Sequence, residues 1–216
     1  DDPRTFVIEG LGWGDDALLP EHLFNFQDFR DLFSSEYVGS DVRLSVGKQT
    51  LLFTDIVGST RFYAEKGDPG AFVTVRDHFK VIYDIVRDNH GAVVKTIGDA
   101  VMASFSASVD ALRASAAIHR AFDGSDSPVR LRISLNAGPC IAVNWNSGID
   151  YFGGTVNLAA KLQACCETAE VAMSEVVYRA PGVEEYLATE KAAVEELTFE
   201  VKALGETLPV FRWTVE

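Results

Sequence analysis

The stretch Leu51-Leu52-Phe53-Thr54-Asp55-Ile56-Val57-Gly58-Ser59-Thr60 decides how the rest of the chain is read. Its apolar run predicts a buried β-strand, and Asp55 interrupts that run. An ionised carboxylate there is costly unless it is paired, hydrogen-bonded or bound to metal. Gly58, Ser59 and Thr60 follow at once, and then a segment of helical composition, so the N–H groups of a helix start point toward the carboxylate. A helix N-terminus attracts anions, and a phosphate bridged to Asp55 by a divalent cation satisfies both groups. Asp55 capping its own turn is the simpler alternative, and the stretch alone leaves both open.

Working outward, Asp68-Pro69-Gly70 reads as a loop, after which Phe72, Val75, Phe79, Ile82, Ile85 and Val86 recur at helical spacing. Asn89-His90-Gly91 stops that helix. Ala92 to Ile97 and Ala100 to Phe105 are two apolar runs separated by Gly98-Asp99, a two-residue hairpin signal. Ser108 opens a second helix that runs to about Phe122. Strands follow at Val129 to Asn136 and near Cys140 to Trp145, then a loop through Asp150. Gly153-Gly154-Thr155 introduces a third helix, Val156 to about Cys165, and Ala169 to Ser174 is a short strand. A polar helical stretch, Ser174 to Lys191, precedes two strands, Thr198 to Ala203 and Leu208 to Val215, joined by a turn at Gly205. This order predicts an α+β fold: a ferredoxin-like split βαβ core whose mostly antiparallel sheet carries its helices on one face.

Within such a core the tip of the central hairpin, with Asp99, can come beside the end of the first strand, with Asp55. Two carboxylates so placed repel unless a cation lies between them. Two-metal phosphoryl-transfer sites are built this way. An ordinary turn at Gly98-Asp99 is the plain alternative.

Composition narrows the partners. The 216 residues suffice for one domain of ordinary size with a short appendage, and 47% hydrophobic residues can build its core. A net charge of -13 argues against a surface that tracks a nucleic-acid polymer. Any phosphate site is therefore local and needs metal. Three cysteines, Cys140 and the adjacent Cys165 and Cys166, make no disulfide framework and fit a reducing cytoplasm. The vicinal pair reads as two small residues on a helix. No apolar run approaches the roughly 20 residues of a membrane span.

Four blocks in order resemble the class III nucleotidyl cyclases: Phe53 to Thr60, Val94 to Ala100, Leu131 to Gly138, and Asp150 to Leu162. The resemblance runs from about Lys48 to Glu216. It implies that Asp55 and Asp99, with the Ile56 carbonyl, bind two divalent cations per site, Mg2+ or Mn2+. The ribose 3′-hydroxyl of the substrate then attacks the α-phosphate and pyrophosphate leaves. By the same resemblance Arg132 contacts the triphosphate, Gly58, Ser59 and Thr60 lie at the phosphates, and Asn157 orients the ribose. Lys161 stands where the family usually has an arginine serving the α-phosphate; it keeps the charge but loses the planar fork. Lys95 with Asp150 resembles the pair that selects adenine. Lys202 is two positions early for a phosphate-binding lysine of the last hairpin and receives no role.

The expected function is therefore an adenylate cyclase that takes ATP and works as a head-to-tail homodimer with two shared sites. A guanylate cyclase, and a degenerate cyclase fold that binds nucleotide or a partner without chemistry, are the alternatives. Residues 1–47 are acidic and carry an aromatic patch, Phe24, Phe26, Phe29 and Phe33, in which Glu21 to Phe33 reads as a short helix packed on the main domain or on upstream sequence. They are expected to be a linker or the tail of an upstream regulatory region, with the catalytic domain at 48–216. A first residue other than methionine predicts a piece of a longer protein.

Overall fold

A computed structural model describes residues 20–33, 44–123, 127, 129–145, 148–201 and 205–216. Alternation along β1 (Leu44–Ile56) explains its central place. Leu51 and Phe53 point to one side, Leu52 and Ile56 to the other, and all four are buried, so the strand needs cover on both faces. Around it lie β2 (Gly91–Ile97), β3 (Ala100–Phe105), β4 (Leu131–Trp145) and β5 (Gly148–Phe152). β6 (Glu170–Ser174), β7 (Val194–Val201) and β8 (Glu206–Thr214) complete an eight-stranded sheet of order β2-β3-β1-β4-β6-β8-β7, with β5 paired to β4. Only β4 and β6 pair in parallel among the described strands. The run β4-β1-β3-β2 is the split βαβ order expected from the sequence.

The helices are α1 (Pro20–Leu23), α2 (Gln27–Phe33), α3 (Ser59–Lys66), α4 (Asp68–Asp88), α5 (Ser108–Ala121), α6 (Gly154–Leu162), α7 (Glu175–Tyr178) and α8 (Val183–Thr189). Ile82 and Val86 of α4 and Leu112 and Ile118 of α5 pack with Leu52, Ile56 and Val101 in the main core. On the opposite face Phe24 and Ala159 of α6 pack with Leu51, Phe53 and Met102. The helices therefore cover both faces, not one, because β1 and β3 are apolar on both sides.

Four local readings are corrected. Asp68-Pro69-Gly70 opens α4 instead of forming a loop, since a proline in the first helical turn gives up an N–H that has no partner anyway. The two strands separated at Ala137-Gly138-Pro139 are one strand, β4, carried through by pairing with β1 at Gln49 and Lys48. Gly138 is needed there: a Cβ would lie 2.7 Å from Thr155 Oγ1. Asp150 lies in β5, not in a loop. The polar stretch Ser174 to Lys191 splits into α7 and α8 around Pro181. The vicinal cysteines end a short 3₁₀ turn, Gln163–Cys165, and burial pushes the Cys166 thiol up to about 12, so it is an inert packing residue. Lys202 lies outside the described residues, as does most of the stretch 1–47.

His119 in α5 is 5% exposed, and its Nε2 lies 3.1 Å from the Glu170 carbonyl, which accepts from the Nε2–H tautomer. Burial pushes its pKa down to about 4, against the pull of that bond. The unfolded chain therefore takes up a proton near pH 6.5 that the fold refuses until about pH 4. Stability supplied above pH 6.5 is lost as pH falls through this window, by about 3 kcal/mol at its lower end. Urea unfolding midpoints should drop between pH 6.5 and 5 and drop less in His119→Gln; equal slopes would show that His119 does not set this dependence.

Candidate active site

The strand period of two places Asp55 on the same face as Leu51 and Phe53, at the C-terminal end of β1. Arg132 of β4 stands directly opposite in the register. Its Nε and Nη2 both donate to Asp55 Oδ2, at 2.9 and 2.5 Å, and the two side chains are 35% and 21% exposed. The partner that Asp55 requires is thus a guanidinium on the neighbouring strand. Ile56 is buried, and Val57 N donates to the Arg130 carbonyl at 2.8 Å, which holds the chain as it leaves the sheet. Gly58 then turns with φ 71°, a conformation that favours glycine, and α3 begins at Ser59 with Thr60 exposed beside it.

Thr54 faces Val101, the next rung of the hairpin is Ile97 with Ala100, and the turn Gly98-Asp99 follows it, so Asp99 is next to Ala100, the residue one step beyond the Thr54 rung in the direction of Asp55. Asp99 Oδ2 is buried and has no hydrogen-bond partner among the described residues. An unpaired buried carboxylate oxygen calls for an explanation, and a cation ligand is a sufficient one. Tyr63 of α3 and the buried His78 of α4 lie within electrostatic reach. Burial raises the Tyr63 pKa and the Asp99 charge adds to the rise; burial lowers that of His78, which the Val75 backbone and Asp99 oppose. The sequence reading missed both residues. A histidine inside the apolar spacing Val75, Phe79, Ile82 was the available signal for His78.

No group of three or more His, Cys, Asp or Glu side chains among the described residues could hold a metal unaided. Asp55, Asp99 and the Ile56 carbonyl are an all-oxygen but incomplete set. That suits Mg2+ or Mn2+, which keep waters and take phosphate oxygens as ligands. The orphaned Asp99 oxygen fits the same chemistry.

Lys95 donates to Asp150 Oδ2 at 2.5 Å, joining β2 to β5. Asp150 Oδ1 accepts from Tyr151 N at 2.8 Å. Lys95 pairs with Met102, and Met102 with Phe53, so Lys95 stands two residues back from Asp55 along the strands and two strands across. Those offsets are roughly 7 Å and roughly 10 Å. The carboxylate end and the Lys95–Asp150 pair are therefore separate places on one rigid sheet.

α6 is fastened to β4 by Ser134 Oγ, which donates to the Ala159 carbonyl at 2.7 Å, and by Asn136 Nδ2, which donates to the Thr155 carbonyl at 2.9 Å. Asn157 and Lys161 sit one turn apart on its exposed side. Among the described residues neither side chain bonds to Asp55, Asp99, Lys95 or Asp150. The structure thus gathers Arg132 with Asp55 and Lys95 with Asp150, and leaves the α6 pair facing outward.

The adenylyl cyclase CyaB from P. aeruginosa superposes with a TM-score of 0.66 over 81% of this chain and 97% of its own, at 20% identity, and so shares the fold. An adenylate cyclase of Podospora anserina is 26% identical over 62% of the chain and 7% of its own length. Retinal guanylyl cyclase 1 of Homo sapiens is 31% identical over 53% of the chain and 12% of its own length. The chain spans at most 28% of the length of the curated relatives it matches. The sequence profile of the adenylate and guanylate cyclase catalytic domain matches residues 43–207. A match over most of the chain, on a sheet whose β1 carries Asp55 at its C-terminal end, makes this protein a member of the class III nucleotidyl cyclase catalytic domain family.

Proposed function

We propose that this domain is an adenylate cyclase, converting ATP to 3′,5′-cyclic AMP and pyrophosphate. The Lys95–Asp150 pair carries the reading: an ammonium can donate to N1 of adenine, and a carboxylate can accept from the exocyclic amine. Guanine presents the opposite pattern at those edges. Asp55 and Asp99, with the Ile56 carbonyl, would hold two cations, Mg2+ or Mn2+, which when bound activate the ribose 3′-oxygen and neutralise the leaving pyrophosphate. Arg132, already held beside Asp55, adds a fixed positive charge at the triphosphate. The backbone of Gly58, Ser59 and Thr60 offers N–H donors to the phosphates. Asn157 orients the ribose and Lys161 meets the charge that develops at the α-phosphate.

Asn157 and Lys161 face outward from their own chain, and we place them, together with Lys95 and Asp150, opposite the Asp55 and Asp99 of a second copy, in a head-to-tail homodimer with two shared sites. The part of residues 1–47 that precedes β1 then serves as the connector from an upstream regulatory region. No helix among the described residues is long and apolar enough to cross a membrane, and a cytoplasmic setting, where ATP is abundant, suits the reaction.

Incubation with Mn2+ and either nucleotide tests the reading directly. ATP should be cyclised with a kcat/KM at least about tenfold above that for GTP, because the wrong base leaves buried polar groups unpaired. Lys95→Glu with Asp150→Cys should weaken or invert the preference. Faster turnover of GTP by the unmodified protein would overturn the assignment, and no cyclic product from either nucleotide would favour a non-catalytic module, the reading to which Lys161 in place of arginine points.

A further inference from the structure

The segment Pro20 to Phe33 reaches both strands that carry the Lys95–Asp150 pair. On one side, Gln27 Oε1 accepts from Val93 N at 2.7 Å. Val93 is on the edge strand β2, and the register with β3 shifts between Val93 and Lys95, so this bond fixes the irregularity from which Lys95 projects. On the other side, Arg30 donates through Nη2 to the Ile149 carbonyl, and its guanidinium carbon lies 5.5 Å from the Tyr151 ring centroid. Ile149 and Tyr151 are the two neighbours of Asp150. One short helix therefore holds the backbone two residues before Lys95, the backbone just before Asp150 and the ring of the residue just after it.

The segment is itself anchored. Asn25 Nδ2 donates to Gln49 Oε1 of β1 at 2.8 Å and to Ser106 Oγ at 2.9 Å, and Asn25 Oδ1 accepts from Ser104 Oγ of β3 at 2.6 Å. Arg30 Nη1 donates to the Phe24 carbonyl at 3.2 Å, which closes the segment on itself. Packing alone does not account for Arg30. It is 6% exposed and forms no ion pair with a carboxylate among the described residues, and a guanidinium is costly to bury. A leucine would fill the same space at less cost. The guanidinium gives what a leucine cannot: a bond to the strand that carries Asp150, and a second positive charge within its reach.

We propose that this segment is a bracket that sets the separation and orientation of Lys95 and Asp150, with Gln27 and Arg30 as positioning residues for base selection. The inference rests on the assignment of Lys95 and Asp150 as the base-reading pair. Both strands it holds are extremities, β2 at the sheet edge and β5 off the main strand path, so neither is positioned by strands on both sides. Sequence upstream of Pro20 would thereby be joined covalently to the part of the site that reads the base.

The test is the ratio of kcat/KM for ATP to that for GTP, measured in Mn2+ on Arg30→Ala, Arg30→Lys, Gln27→Ala, Asp150→Ala and Arg30→Ala/Asp150→Ala, each with its urea unfolding midpoint. Arg30→Ala should lower the ratio about tenfold, mainly through a higher KM for ATP, with kcat at saturating ATP within about threefold. Gln27→Ala should lower it about threefold, and Arg30→Lys should keep most of it. In the Asp150→Ala background the Arg30 substitution should have no further effect on the ratio, because it acts through Asp150. A fall in stability or kcat with the ratio unchanged overturns the bracket and makes the segment merely structural. If Arg30→Ala does not fold, Gln27→Ala, which among the described residues gives up only its bonds to Val93 N and Asp31, decides by the same ratio. If Asp150→Ala itself leaves the ratio unchanged, the base-reading assignment fails, and the bracket with it; if Asp150→Ala changes the ratio while Arg30→Ala and Gln27→Ala do not, only the bracket fails.

Discussion

Asp99→Ala should abolish cyclisation, by at least about 10³-fold, while its unfolding midpoint stays unchanged or rises. The two halves of this expectation have one cause. Asp99 Oδ2 is buried with no partner among the described residues, so in the free protein it is a burden that alanine removes, whereas a cation site without it loses a negatively charged ligand. Asp55→Ala should be as inactive but less stable. It takes from Arg132 the carboxylate oxygen that receives two of its bonds. Both groups are partly exposed, so solvent screening limits that loss to about 1 kcal/mol. A cyclic-nucleotide assay with a urea titration of each variant separates these effects. Most of the activity surviving in either protein would refute the two-cation site. A large loss of stability in Asp99→Ala would mean that its oxygen has a structural partner.

Mixing Asp55→Ala with Asn157→Ala should restore activity that neither protein has alone. If Asn157 serves the site of the second copy, a mixed dimer carries both lesions in one site and none in the other. Random exchange makes about half of the dimers mixed, each with one intact site, so roughly a quarter of the wild-type rate should return. The orientation of α6 motivates the experiment, since its bonds through Ser134 and Asn136 leave Asn157 and Lys161 exposed. The mixture must be assayed where dimers form and exchange, as sedimentation can verify. A mixture no more active than its components would place the whole site within one chain.

The parts of this molecule legible beforehand are those whose cause is local. The hairpin from Gly91 to Phe105 was readable because a two-residue turn containing glycine and two apolar runs are adjacent in the chain, and Gly98 does adopt φ 62°. α4 was readable because its apolar residues recur with the helical period; only its start was misplaced, by a proline that a first turn tolerates. The site residues were legible only as ordered blocks, through resemblance, since no local rule tells a turn aspartate from a cation ligand.

Composition and periodicity determined the α+β class, the central hairpin, the main helices and the two aspartates that call for partners. Tertiary structure alone decided which partners they have. Arg132 meets Asp55 across 77 residues because two strands share a register, a fact that neither strand contains. The aromatic patch of the first segment showed no period because Phe24 and Phe29 turn toward the sheet while Phe26, between them, is 55% exposed. Asn25, Gln27 and Arg30 carried no signal at all, since a buried hydrogen bond is written in the positions of partner groups 24 to 119 residues away and not in the identity of one residue. Periodicity records which face of an element is buried; it holds no record of what lies opposite, and the chemistry of this site is made of such oppositions.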